Sequence, residues 1–195
     1  MAWVRSEYAS EFAVISAWLS MVLPWNIVYY SGVPTEKINS LLFAVRFSIL
    51  ELQFRFPGEI NLDDQPLYTA TDSFDALFSG IHVISSLWVT TPPMAALHHD
   101  STMQWASLAW TLGALALVVS FGISIVLYLR EEAVEAESPV HPVRLIGGLL
   151  GVATLALSAA SVLYFFERDF AGIPIPVGVL IMGALSVALL RVERT

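Results

Sequence analysis

Five stretches of the chain are apolar for long enough to cross a bilayer, and polar or charged segments separate them. A hydrocarbon core about 30 Å thick calls for roughly 17–25 apolar residues in a helix. Backbone groups placed in hydrocarbon must bond within their own segment, so such stretches are expected to be helical. The pattern predicts spans at about 12–30, 74–91, 105–129, 145–166 and 173–190. The first contains Pro24, where a kink is expected. Residues 12–23 have the look of a signal-peptide core, but Pro24-Trp25-Asn26 follows them in place of a small-residue cleavage site, so the span is read as retained.

Leu41–Phe56 breaks the rhythm. Val45, Phe47 and Ile49 share one alternating phase, and Leu50, Leu52, Phe54 and Phe56 share the other, after a slip of one residue. Arg46, Ser48, Glu51, Gln53 and Arg55 fill the gaps. Positions 42, 45, 49, 52 and 56 would also form a helical stripe, but the aromatic and β-branched content favours a strand over Ala44–Phe56. The slip suits a β-bulge. Three charges near the middle make a sixth span too costly. Pro57-Gly58 ends the run, and Leu67–Thr71 is a candidate return strand. The expected fold is therefore an all-α membrane protein forming one domain over residues 1–195. It has five transmembrane helices and a small cytoplasmic β element, residues 41–72, between helices 1 and 2.

Composition sharpens this reading. The 195 residues are 56% hydrophobic and 13% charged, with a mean hydropathy of +0.70. Soluble domains carry about 25% charged residues, so this chain cannot clothe a water-facing surface in the usual way. The absence of cysteine excludes disulfides, thiolate metal sites and thiol nucleophiles. A net charge of −8 argues against nucleic acid as a partner. For five spans, Arg5 and Arg168 fall on one side, and Lys37, Arg46, Arg55, Arg130, Arg144, Arg191 and Arg194 on the other. Two against seven places the C-terminus in the cytoplasm and the N-terminus outside the cell membrane.

The opening WVRSEYASEFAVISAWLSMVLPWNIVYY, together with AVRFSILELQFRF, resembles a family of small multi-pass membrane proteins from halophilic archaea with no assigned function. The resemblance covers about the first 60 residues. It implies a membrane location and a salt-loving source, and brings no activity or functional residues. The acidic balance and eight arginines against one lysine agree with such a source.

Candidate chemistry is sparse. Asp72, Asp75, Ser79, His82 and Ser86 recur at helical spacing and would form one polar stripe on the second helix. Ionisable groups at membrane depth are functional candidates by default. The stripe reads either as a set of interhelical hydrogen bonds or as a solute or proton path. His98, His99 and Asp100 are candidate metal ligands in an extracytoplasmic loop, although neighbouring side chains diverge and no third distant ligand accompanies them. Gly147 and Gly151 form a GxxxG pair suited to close helix packing. No nucleophile elbow, phosphate loop, dinucleotide fingerprint or zinc-protease motif occurs, so no cofactor and no enzymatic activity are expected. The expected role is a non-catalytic structural or accessory component that partners another membrane protein in the bilayer. A small transporter or channel using the second-helix stripe, and an extracytoplasmic metal-handling protein, are the alternatives.

Overall fold

The computed structural model describes residues 8–35, 38–56, 61–62, 65–66, 86–98, 101–130, 141–167 and 172–192. Helix α1 spans Ala9–Val22. Its C-terminal neighbour Leu23 is extended, with φ −67° and ψ 136°, because a residue before proline is pushed out of the helical region. Pro24 thus ends the helix where a kink was expected. The β-branched and aromatic run that follows becomes strand β1, Asn26–Thr35. Strands β2, Ile38–Arg46, and β3, Glu51–Phe56, come next, then the short ladder β4, Asn61–Leu62, with β5, Gln65–Pro66. Strand β6, Ser86–Thr90, leads to the short helix α2, Pro92–His98, and the long helix α3, Ser101–Leu129. Helix α4 covers Pro142–Glu167, strand β7 Gly172–Ile175, and helix α5 Val177–Leu190.

The five-helix expectation is overturned. Two helices, Met103–Leu129 and Pro142–Phe166, are long and apolar enough to cross a membrane, while α1 and α5 have 14 residues each. The predicted second span ends in strand β6, and the fifth begins in strand β7. Hydropathy sees apolar content but cannot tell a short buried strand from part of a helix. The β element is also larger than expected: a five-stranded antiparallel sheet ordered β6-β3-β2-β1-β7, drawn from three parts of the chain. The phase slip at Ile49–Leu50 is a chain reversal and not a bulge. Arg46 pairs with Glu51, and the Phe47 N–H donates to the Leu50 carbonyl at 2.8 Å across the turn. The return strand at Leu67–Thr71 lies outside the described residues.

The four principal helices pack side by side, with the sheet at one end. Helix α1 ends, α3 begins, α4 ends and α5 begins at the sheet. At the opposite end the Arg144 guanidinium donates to the Val192 carbonyl; between the two ends Trp18 of α1 packs, tilted, against Phe121 and Tyr128 in the second half of α3. Helix α1 therefore starts, and α5 ends, at the same end of the bundle.

Small residues line the inside. A Cβ on Gly113 would sit 2.8 Å from Leu157, and one on Gly147 2.9 Å from Leu189. Several buried serines donate to helix carbonyls, as Ser186 does to Gly147 at 2.7 Å, whereas the Ser20 and Ser120 hydroxyls have no partner among the described residues. Large apolar side chains point outward instead, Leu155 being 74% and Leu180 70% exposed. Only 39% of the most apolar stretch of α3 and of α4 is buried within the fold. Both helices present hydrocarbon to their surroundings, unlike the core helix of a soluble protein.

Candidate functional site

The chemistry of the described fold is concentrated where the β2–β3 turn enters the sheet end of the bundle. Arg46 and Glu51 face each other as cross-strand partners, with Arg46 Nε 3.1 Å from Glu51 Oε2. Their side chains are 1% and 4% exposed. The Gln53 amide donates to Glu51 Oε1 at 2.8 Å. The Arg46 guanidinium lies 4.0 Å from the centre of the Tyr164 ring and 6.0 Å from that of Trp25. A planar, weakly hydrated guanidinium is suited to such a buried stack in a way an ammonium is not.

The turn itself is held by indoles. Trp25 and Trp110 both donate to the Phe47 carbonyl, at 3.1 and 3.2 Å, and Trp110 also reaches the Ser48 carbonyl at 3.0 Å. The Ser48 hydroxyl donates to the Ser20 carbonyl in the last turn of α1, where helix carbonyls lack an intrahelical partner. Tyr164, which carries Arg46 on its face, shares a 2.8 Å hydrogen bond with Ser107 of α3. Asn26 reaches Ser161 of α4 at 3.4 Å. The hairpin is thus tied to α1, α3 and α4 at once. Non-helical backbone can lie among apolar helices only when its polar groups are satisfied by protein, and these contacts do that. Trp110→Phe, which keeps the ring and deletes the donor, is expected to cost about 1–3 kcal/mol by leaving the Ser48 carbonyl unpaired. Thermal unfolding of the detergent-solubilised protein, followed by circular dichroism, measures it.

The same hairpin sets an unusual polarity on the sheet. Asn26, Arg46, Glu51 and Gln53, with Val28 and Ala44, occupy the face turned to the bundle. By alternation the opposite face carries two apolar rows. One runs across all five strands, Ile175, Ile27, Val45, Leu52 and Val89; the other includes Tyr29, Phe43 and Phe54. The Phe43 and Phe54 rings pack 6.2 Å apart. Val89 and Ile175, at the sheet edges, are 56% and 54% exposed.

Of the residues singled out from sequence, Asp72, Asp75, Ser79, His82, His99 and Asp100 lie outside the described residues. Ser86 stands in strand β6, paired in register with Arg55, so no single helix carries the whole stripe. His98 is the last residue of α2. Gly147 and Gly151 lie on α4 against α5, where a Cβ on Gly151 would be 3.0 Å from the Ser186 hydroxyl. Among the described residues no three His, Cys, Asp or Glu side chains converge to hold a metal. Arg46 and Glu51 were read from sequence only as polar gap-fillers. Their signal was two opposite charges flanking a phase reversal.

Residues 2–194 match the model of a family of unknown function, DUF7549. The chain belongs to that family. The match runs over nearly the whole chain, so the hairpin, the sheet and the helices all fall within it. No curated protein matches the chain.

Proposed function

We propose that this chain is a multi-pass membrane protein with a non-catalytic accessory role, in which the helices anchor a rigid sheet that docks another membrane protein. Helices α3 and α4 cross the bilayer, and α1 and α5 pack along them. The observation that carries the docking role is the inverted sheet. A sheet covered by helices on one side ordinarily turns its apolar face to them. Here the buried ion pair occupies that side, and five strands of aliphatic side chains face away. Contiguous apolar surface of this kind marks interaction sites. The Arg46–Glu51 pair holds the platform in one orientation and performs no reaction: the nearby Ser48 and Ser107 hydroxyls are committed to the Ser20 carbonyl and to Met103 and Tyr164.

Exposed Trp105 and Tyr128 on α3 are separated by 23 residues, about 34 Å at 1.5 Å per residue, which suits aromatic anchors at the two interfaces. Arg130, Arg144 and Arg191 stand at helix ends opposite the sheet, and in sequence Arg5 precedes α1 and Arg194 follows α5, whereas the short α4–α5 connection has Arg168 alone. The segment between α1 and α3 is longer than the roughly 60 residues over which charge biases orientation. On this reading both termini are cytoplasmic and the sheet lies outside, the reverse of what five spans implied for the N-terminus and the β element. Because the chain has no cysteine, single-cysteine variants report topology directly. Gly58→Cys should react with an impermeant maleimide in intact cells, and Glu135→Cys only after permeabilisation; the opposite pattern overturns the orientation.

The docking role is tested by crosslinking in native membranes followed by purification in mild detergent. A stoichiometric membrane partner should be captured by the unaltered chain and lost with Val89→Lys or Ile175→Lys, both at exposed positions, with unfolding temperature unchanged. Capture that survives both substitutions would remove the sheet from the interface.

A further inference from the structure

A groove of about 220 Å³ opens beside the hairpin, away from the ion pair. It is lined by Ile49 on the turn, Thr91 just before α2, Pro93 on α2, and Thr111, Ala114, Leu115 and Val118 on α3. At about 30 Å³ per molecule it would hold roughly seven waters, but its walls have almost nothing to bond them. The Thr111 hydroxyl is already committed to the Ser107 carbonyl at 2.8 Å.

The groove is continuous with the outward face of α3, where Leu108, Leu112, Leu115, Val118 and Val119 are exposed. Residues 111–118 lie roughly 9–20 Å along the helix axis from Trp105. With Trp105 at the interface, that depth runs from the hydrocarbon of the sheet-side leaflet to just past the midplane, each half of the core being about 15 Å thick. Above it, exposed Met94 and Leu97 make α2 an apolar shelf at the level of the interface.

Resting on the membrane reading above, we infer that this groove seats one hydrocarbon chain of a membrane lipid from the sheet-side leaflet. An uncharged cleft that opens sideways from a bilayer-facing helix, and lies at chain depth, selects a chain over any polar ligand. The hairpin turn supplies one wall, so the site exists only while the turn is docked. The chain is held by close van der Waals contact against fixed walls, which distinguishes it from the loose lipid around the rest of the bundle.

The test places a photoreactive benzoylphenylalanine at Leu115, or at Leu180 on the bare face of α5, in the full chain expressed in its native membrane. Irradiation before extraction should give lipid-mass adducts at both positions. Irradiation after exchange into detergent should give about tenfold more lipid adduct at Leu115 than at Leu180, equivalent to 1.4 kcal/mol. Ala114→Phe, which fills the groove, should abolish that excess; Val118→Phe at the exposed rim does the same if the first variant fails to fold. Equal loss of lipid at both positions overturns the inference and leaves the membrane reading standing. So does a protein-mass adduct at Leu115, which would make the groove a protein contact. Retention that survives both filled variants overturns it as well. The absence of lipid adducts at either position before extraction would sink the membrane reading and this inference together.

Discussion

Arg46→Met is expected to destabilise the protein by about 3–5 kcal/mol, the usual effect of stripping one partner from a buried ion pair. The loss arises chiefly because Glu51 is left charged in a site that excludes water, not because the pair is intrinsically worth that much. The double variant Arg46→Met with Glu51→Leu should therefore recover most of the stability, since an apolar pair of similar volume avoids the desolvation cost. Arg46→Lys should rescue poorly: an ammonium cannot lie flat on the Tyr164 ring while its donors reach Glu51. Thermal unfolding of these variants, of Glu51→Leu alone and of the unaltered chain in one detergent closes this cycle. If both single variants and the double variant unfold at the same temperature as the unaltered chain, the pair is not what fixes the hairpin.

Gly178→Ala should be comparably damaging, for a steric reason. A Cβ at this position in the first turn of α5 would come within 2.7 Å of the Trp25 Cα, and closer still to the Pro24 carbonyl oxygen. Those atoms are backbone, anchored by the Trp25 N–H donating to the Arg46 carbonyl at 2.9 Å, so they cannot swing aside as a side chain would. Overpacking of this kind costs about 1–3 kcal/mol and occasionally more. The adjoining hairpin should loosen with it, because Trp25 moves. Gly148→Ala is the control, having nothing within 4 Å of its added Cβ. It should unfold as the unaltered chain does or at a slightly higher temperature, alanine being the better helix former. Equal stability of Gly178→Ala and Gly148→Ala would mean that α5 can withdraw from the α1–β1 corner at no cost.

Both experiments address a site that sequence reasoning passed over. Arg46 and Glu51 are five residues apart, and in an unbroken strand with a bulge they would project without meeting. Only the reversal at 47–50 makes them partners, and only the indoles of Trp25 and Trp110, 85 residues apart in sequence, make that reversal stable inside the bundle. A phase slip in an alternating run fits a bulge and a turn equally well from local pattern, because both shift the register by one. The partner strand decides between them, and that information is not local.

What the sequence by itself determined is the apolar, helical character of the long helices and the extended nature of residues 44–46 and 51–56. Stretches such as Trp105–Leu129 and Leu145–Phe166, without a charge over more than 20 residues, have few alternatives to a helix. Alternation rich in Phe, Val and Ile likewise has few alternatives to a strand. The packing role read for a GxxxG pair rests on the same kind of local steric fact, and α4 does bring Gly147 and Gly151 against α5. Tertiary structure decided everything that depends on a second segment. It decided that apolar runs at 26–30, 86–90 and 172–175 join one sheet and extend no helix, because strands are stabilised by cross-strand neighbours that hydropathy cannot see. It decided too which face of that sheet is inside. Alternation alone would have turned Phe43, Val45, Leu52 and Phe54 inward, but the charged row finds its aromatic and hydrogen-bonding partners on the bundle. Leaving that row unpaired would cost more than leaving the aliphatic one uncovered.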